Sequence, residues 1–189
     1  MAYLSSDELL NLLQAGLLKV EPFERSSIKP LHVELRLGNK FTTMVSAGTA
    51  FIDPTNPKFT IFDEHILTNQ QKYLTMDVPD GSTYTVNPGE FILSVTKERI
   101  SMPQNYVGAL NSRSSLGRLG LQIFCSGGIV DPGFSGQIIL EILNVNRVPI
   151  VLKPGMPIAK LSVEQLKKGA QVVPGYGQQL GQYMDSEIK

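Results

Sequence analysis

Four tight-turn sequences between residues 79 and 155 limit what this chain can fold into. In each of them proline presets φ and a glycine can take a positive φ, so the chain can reverse within a few residues. Short runs rich in Val, Ile, Phe, Thr and Leu lie between such turns from Pro30 onward. This pattern is typical of an all-β sandwich or barrel. The four turns are Pro79-Asp80-Gly81, Asn87-Pro88-Gly89, Asp131-Pro132-Gly133 and Lys153-Pro154-Gly155.

The apolar runs between the turns predict a series of short strands. Their boundaries follow from β-branched and aromatic residues flanked by Gly, Pro, Asn and Asp. The predicted strands are His32–Leu37, Lys40–Val45, Tyr73–Met76, Thr83–Val86, Phe91–Thr96, Tyr106–Leu110, Gln137–Asn144, Ile150–Leu152 and Ile158–Val163.

One short helix is predicted near the N-terminus. Ser5 and Glu8 have the spacing of a capping box, and four leucines follow between residues 9 and 13. Gly16 comes directly after this run and can take the left-handed position that ends a helix.

The composition favours one soluble domain. The 189 residues include 17 Lys+Arg and 17 Asp+Glu, and 42% of the chain is hydrophobic. The balanced charge shows no excess of basic residues of the kind that binds nucleic acid. The apolar content suffices for one core over residues 1–189. The segment Pro54 to Gln71 is expected to be a surface excursion. Gly175 to Lys189 is expected to be a C-terminal tail or lid, because it has few apolar residues.

The cysteine count and the N-terminus predict a cytoplasmic location. Cys125 is the only cysteine, so it can form neither an internal disulfide nor a multi-thiolate metal site. It lies in an apolar run, where a thiol behaves as a small hydrophobe and not as a nucleophile. No apolar run approaches the ~18 residues of a membrane span. The N-terminus, with Asp7 and Glu8, is unlike a signal peptide, so we expect an unprocessed protein with no membrane contact.

The densest polar segment of the chain, Ser112 to Gly120, is a candidate anion-binding loop. It holds two arginines, three serines and two glycines within nine residues. Guanidinium and hydroxyl donors complement the oxygens of a triphosphate. On spacing alone, a solvated loop or a helix start with serine as N-cap explains the segment equally well.

Glu141 is the first candidate for a catalytic residue. It interrupts an otherwise aliphatic strand, and the period of two puts it on the same face as Ile139 and Leu143. If this face is buried, desolvation should raise the pKa of the carboxyl toward the range that a general base or acid needs. The alternative is that this face is the solvent side of the strand.

His32-Val33-Glu34 matches half of the zinc-deaminase signature, in which a His ligand and a Glu precede P-C-x-x-C. The second half is missing, and one cysteine with the distant His65 cannot complete a zinc site. We therefore expect no zinc, and we interpret His32 as a strand residue and Glu34 as structural.

Three sequence blocks together resemble dCTP deaminase, a branch of the dUTPase-like superfamily. They are "SRSSLGRLGL" from Ser112, "GGIVDPGFSGQIILEILN" ending at Asn144, and "KPGMPIAKLSVEQL" from Lys153. "HVELRLGNKF" at His32 and "AFIDP" at Ala50 extend the similarity over nearly the whole chain. The resemblance implies a mainly β fold, a distorted β-barrel of the dUTPase-like type with a short N-terminal helix. It also implies a homotrimer with active sites at the subunit interfaces.

The resemblance further implies metal-independent deamination of dCTP to dUTP and ammonia, with Mg²⁺ bound only with the triphosphate. Glu141 would activate water for attack at C4 of cytosine. Ser114 and Arg118, the latter as a buried guanidinium, would position the water and the base or stabilise charge. The other residues implied in substrate binding are Arg113, Ser115, Leu116 and Gly117 in the loop, Asp131 near the deoxyribose, main-chain groups of Ile139 and Leu140, and Tyr176 and Gln179 in the tail.

Two departures from the family pattern leave alternatives open. Gly175 stands where a tail lysine is usual, so a phosphate contact is missing from the expected lid. Gly127-Gly128 replaces a small residue followed by His, and glycine there is familiar from bifunctional members that convert dCTP to dUMP and pyrophosphate. The hypotheses are therefore a monofunctional deaminase supplying dUTP, a bifunctional deaminase/dUTPase, and a nucleotide sensor on the same fold. Inhibition by dTTP is a further expectation.

Overall fold

The computed structural model describes residues 3–46, 71–123 and 128–167 of the chain. Most of the predicted surface excursion, Cys125, Gly127 and the C-terminal tail lie outside these ranges. The elements in chain order are α1 (Ser6–Gln14), β1 (Lys19–Glu21), a 3-10 turn (Arg25–Ser27), β2 (Ile28–Lys29), β3 (His32–Ser46), β4 (Gln71–Asp77), β5 (Tyr84–Val86), β6 (Phe91–Ser101), β7 (Tyr106–Ser112), α2 (Ser114–Gly117), β8 (Leu121–Ile123), β9 (Ile129–Val130), β10 (Ser135–Asn144), β11 (Ile150–Leu152) and β12 (Pro157–Gln165).

The N-terminal helix α1 begins and ends as predicted. The Ser5 main-chain N–H donates to Glu8 Oε2 at 2.8 Å, and the Glu8 N–H donates to Ser5 Oγ at 3.4 Å, which completes the capping box. At the other end Gly16 has a φ of +66°. The Leu17 N–H donates to the Leu12 carbonyl at 3.0 Å and the Gly16 N–H to the Leu13 carbonyl at 3.1 Å, the two bonds of a Schellman motif. The N-terminal helix is therefore confirmed.

The predicted turns are present, and their glycines take positive φ. Gly133, for example, has a φ of +78°, and the Phe134 N–H donates to the Asp131 carbonyl at 3.1 Å across the turn. The φ angles of the other three turn glycines are +86° at Gly81, +75° at Gly89 and +82° at Gly155.

The described strands form one large curled sheet and a small one. The main path of the ten-stranded sheet is β8-β10-β6-β3-β12-β7-β9. Beside this path, β1 pairs with β6, and both β2 and β4 pair with β3. β5 pairs separately with β11. The large sheet curls into a half-barrel, so the mainly β, barrel-like prediction is confirmed. In the described ranges neither helix is long and apolar enough to cross a bilayer.

Several strands are longer than predicted, and β3 and β6 extend furthest, because irregular pairings continue through positions that end the sequence pattern. The predicted strands before and after Gly38 are one strand, β3, whose pairing with β6 shifts register between Leu37 and Phe41. A Cβ on Gly38 would stand 2.8 Å from the Val95 carbonyl oxygen, so glycine permits this close approach. β6 continues past Thr96 to Ser101 through charged residues that the pattern placed outside the strand.

The core between the sheet faces is aliphatic, with a polar line through it. Phe41 and Tyr84 stack with ring centroids 4.6 Å apart within the core. Along β6, however, Ser94, Thr96 and Glu98 are buried, with exposures of 0%, 0% and 2%. Every buried side-chain nitrogen or oxygen in the described residues has a hydrogen-bond partner, so these polar groups are paired.

Candidate active site

The predicted anion loop is a single helical turn, α2, with Arg113 as its N-cap residue. Ser114 and Ser115 are exposed in its first turn, and Leu116 packs against the core. Arg118 follows as the C-cap, and its N–H donates to the Ser114 carbonyl at 3.0 Å. The helix-start alternative is therefore correct, although arginine and not serine is the N-cap. Arg118 is exposed in the single chain.

The loop is anchored to the end of β10. Gly120 has a φ of +79°, and a Cβ there would stand 3.0 Å from the main chain of Asn146. The Val145 N–H donates to the Gly120 carbonyl at 2.9 Å, and Asn146 Nδ2 donates to the Leu119 carbonyl at 2.8 Å. β8 then pairs with β10 from Asn144 back to Ile142. The loop and the strand that carries Glu141 are thus joined directly by hydrogen bonds and strand pairing.

Glu141 lies on the predicted face of β10. Even-numbered residues from Gly136 to Asn144 are buried, whereas Gln137, Ile139, Glu141 and Leu143 are half-buried in the single chain. Leu93 on the neighbouring strand β6 pairs directly with Glu141, and it is 9% exposed. The carboxylate is therefore on an apolar, half-covered face and not on the core face.

Beside Glu141, no strand of the described residues pairs with the outer edge of β10. The Ile138 N–H donates to Thr96 Oγ1 at 3.0 Å, so the Ile138 main chain faces β6. Main-chain groups alternate between the two edges of an antiparallel strand, so those of Ile139 face away from β6. Among the described strands only β8 lies along that edge, and it pairs no further back than Ile142. The Ile139 main chain therefore faces the edge along which no described strand pairs, while the Leu140 side chain is fully buried in the core.

Asp131 lies at the start of the turn that leads into β10. The turn is held against the loop after β6 by the Met102 N–H, which donates to the Phe134 carbonyl at 2.8 Å. The turn needs glycine at Gly133 because its φ of +78° is one that other residues rarely adopt. The half-buried Asp131 carboxylate is thereby held four residues before the strand begins.

Arg113, a predicted phosphate ligand, is paired with Glu34. Its Nη1 is 3.0 Å from Glu34 Oε2, and the exposed fractions of the two side chains are 31% and 19%. Glu34 faces Lys160 across β3 and β12. Burial, together with the positive charge of Lys160, lowers the pKa of His32. The sequence pattern indicated a structural role for Glu34 but no connection between Glu34 and the loop.

The described residues contain no cluster of three or more His, Cys, Asp or Glu side chains that could hold a metal ion. Mg²⁺ is usually held by one or two carboxylates together with substrate phosphates. A dedicated protein cage for Mg²⁺ is not present in these ranges, and Mg²⁺ bound with the triphosphate stays a prediction. Tyr176, Gln179 and Gly175 lie outside the described residues, so the lid stays a prediction.

The buried polar line on β6 and the anchor at Asn146 were not predicted from the sequence. The buried polar line could have been indicated by the alternation Ser94-x-Thr96-x-Glu98, which begins within a predicted apolar strand. The anchor at Asn146 depends on contacts between residues 120 and 146, for which the sequence carries no local pattern.

The curled β sheet joins an arginine- and serine-bearing loop to the strand that carries Glu141. The profile of the family described as dCTP deaminase-like matches residues 3–166, and the chain belongs to this family.

Curated relatives and one solved structure agree with this assignment. "dCTP deaminase, dUMP-forming" of Dictyoglomus thermophilum is 38% identical over 170 residues, covering 89% of this chain and 82% of the relative. The protein of the same name from Coprothermobacter proteolyticus is 38% identical over 184 residues, covering 97% and 91%. The crystal structure of 2'-deoxycytidine 5'-triphosphate deaminase from Agrobacterium tumefaciens superposes with a TM-score of 0.62 at 19% identity. It matches 96% of this chain, which spans 53% of that longer chain, and this likeness shows the fold alone.

Proposed function

We propose that this protein deaminates dCTP and hydrolyses the product to dUMP and pyrophosphate. The observation that carries the proposal is the half-buried Glu141 on an apolar face of β10, next to the strand edge at Ile139 along which no described strand pairs. The names of the curated relatives support the dUMP-forming reaction over release of dUTP. Among the sequence hypotheses, the bifunctional enzyme is therefore preferred to the monofunctional one.

Deamination replaces the amino group at C4 of cytosine with oxygen from water. Glu141 removes a proton from the water, the resulting hydroxide attacks C4, and the proton is delivered to N3. Glu141 then takes the proton of the C4 hydroxyl and delivers it to the amino group, so the C4–N bond breaks, ammonia leaves and the C4 carbonyl of uracil forms. The outward N–H and C=O of Ile139 hold the pyrimidine edge, and Ser114 and Arg118 stabilise the developing charge.

The triphosphate binds to the loop from Arg113 to Arg118. Guanidinium forks and exposed N–H and O–H donors suit phosphate oxygens, and Mg²⁺ accompanies the nucleotide and neutralises part of its charge. In the second step a water attacks the α-phosphorus, the bond to the bridging oxygen breaks, and pyrophosphate leaves. Asp131 accepts the proton of that water.

The active unit in this proposal is a homotrimer. Ser114 and Arg118 are exposed in the single chain and lie at the Asn144–Asn146 end of β10, whereas Glu141 lies further back along the strand. A neighbouring copy that covers the loop would complete and desolvate the site. Sedimentation should give three times the 20.7 kDa chain mass. Sedimentation as a monomer would contradict this part of the proposal.

Product analysis with dCTP and Mg²⁺ tests the reaction. We expect one ammonia and one pyrophosphate for each dUMP, with no accumulated dUTP. Accumulated dUTP with ammonia would support the monofunctional alternative, and binding of dCTP without ammonia would support the nucleotide sensor. Added dTTP tests the expected inhibition in the same assay.

Mixing two inactive variants tests whether the site spans two copies. Glu141→Gln and Arg118→Ala are each expected to be inactive, but random co-assembly of equal amounts should restore function at about one quarter of the interfaces. In those interfaces an intact Glu141 from one copy meets an intact Arg118 from the other. No recovery in mixed trimers would place both residues of a site in the same chain.

A further inference from the structure

We propose that Thr96 is a positioning residue for the deamination site, which it serves by holding β10 so that Ile139 and Glu141 face the substrate. This inference rests on the proposed function. Thr96 is fully buried in β6 and has no contact with the candidate catalytic side chains among its hydrogen bonds. It acts through the main chain of the neighbouring strand.

The pairing of β10 with β6 shifts register opposite Thr96. Gln137 pairs with Arg99, and Ile139 pairs with Val95. Between these two pairs, β10 has one residue, Ile138, whereas β6 has three, Thr96, Lys97 and Glu98. The β6 strand therefore bulges opposite Ile138. A bulge of this kind removes main-chain hydrogen bonds from the ladder, and the groups left over are buried here.

The Thr96 side chain satisfies the groups that the bulge leaves without ladder partners. Its Oγ1 accepts a hydrogen bond from the Ile138 N–H at 3.0 Å and donates one to the Glu98 carbonyl at 2.7 Å. Its own carbonyl accepts a hydrogen bond from Gln137 Nε2 at 2.7 Å. Thr96 thus contacts β10 at two successive residues directly before Ile139.

These bonds determine which edge of β10 each residue faces. With the Ile138 N–H directed at Thr96, the main-chain groups of Ile139 are directed away from β6, and the side chain of Glu141 lies on the same face as that of Ile139. A slip or rotation at Ile138 would move both groups. Misplacement of reacting groups by about 1 Å can reduce a rate by about 10²-fold.

Thr96→Val tests the proposal, because valine has the shape of threonine without its hydroxyl. We expect kcat for ammonia release to fall by about tenfold or more, with KM for dCTP within about threefold, because the triphosphate loop is untouched. Thr96→Ser keeps the hydroxyl and should restore most of kcat.

Thr75→Val is the matched control. Thr75 Oγ1 is 2.9 Å from Thr42 Oγ1, so this variant also deprives a buried threonine of its hydroxyl partner, but on β4, which pairs only with β3 among the described strands. We expect it to keep wild-type kcat at a temperature where both variants are folded. Equal losses of kcat in the two valine variants, or a serine variant no better than valine, would overturn the positioning role.

Two further measurements keep the test decisive. If Thr96→Val does not fold, Gln137→Met removes the half-buried contact to the Thr96 carbonyl, and kcat should fall by about three- to tenfold. Unchanged kcat in that variant would overturn the proposal. If the wild-type protein releases no ammonia, the proposed function fails. Amide exchange still tests the positioning, since Thr96→Val should raise exchange of the Ile138 and Leu140 amides, which face β6, by about tenfold or more, and Thr75→Val should not.

Discussion

At the scale of single residues, Glu141 carries the proposed chemistry. Glu141→Gln keeps the side-chain volume but cannot accept a proton from water, so deamination should fall by about 10⁴-fold, the upper end of general acid–base effects. Ammonia release under saturating dCTP measures this loss. Binding of dCTP to the variant should stay within a few-fold of wild type.

Glu34→Gln is the control for Glu141→Gln. Glu34 is a half-buried carboxylate on a strand, and its ion pair with Arg113 holds one end of the loop. The variant should raise KM more than it lowers kcat and should keep far more activity than Glu141→Gln. Equal losses at both positions would point to the H-x-E sequence as part of the reaction centre.

Tyr84 makes stability depend on alkaline pH. Burial, with a smaller effect from the Glu90 carboxylate, raises the pKa of Tyr84 from 10.0 to about 12. The folded protein then holds this proton more tightly than the unfolded chain, so the contribution is complete below pH 10 and is lost as the pH rises toward 12. As the pH rises from 10.0 to about 12, the urea midpoint of Tyr84→Phe should fall by less than that of the wild type. Identical profiles for the two proteins would contradict the assignment.

At the scale of elements, the end of α1 depends on the backbone of Gly16. Its φ is +66° and nothing lies within 4 Å of the position that a Cβ would take, so Gly16→Ala adds backbone strain without a steric clash. We expect the free energy of unfolding to fall by about 1 kcal/mol. Gly117, in α2, also has open space but no positive φ. Gly117→Ala should therefore leave stability unchanged or raise it by about 0.5 kcal/mol, and equal effects of the two substitutions would contradict this explanation.

At the scale of the whole molecule, a buried ion pair ties β3 to β6. Glu98 accepts hydrogen bonds from the Arg36 N–H at 2.8 Å and from Arg36 Nε at 2.7 Å, and Arg36 also pairs with Glu24. Glu98→Gln leaves the guanidinium without its buried partner, so the free energy of unfolding should fall by about 3 kcal/mol. Glu34→Gln breaks a more exposed pair and should lower it by less than about 1 kcal/mol. Denaturant unfolding of both variants measures the difference, and similar losses would contradict the effect of burial.

Local sequence determined those features that depend on neighbouring residues. Ser5, Glu8 and Gly16 define the two ends of α1, because capping bonds join residues only a few positions apart. The turn at Asp131-Pro132-Gly133 follows from backbone preferences of the same short range. The face on which Glu141 lies likewise follows from the period of two along β10.

Tertiary structure alone decided which distant segments meet. The bulge at Thr96, the anchor between Gly120 and Asn146, and the pairing of Arg113 with Glu34 each join residues more than 20 positions apart. Similar apolar strands can pair in several orders and registers, so local patterns do not specify these contacts. These contacts are selected by the register that buries the most apolar surface while pairing the buried polar groups, and this register directs the Ile139 main chain away from β6 beside Glu141.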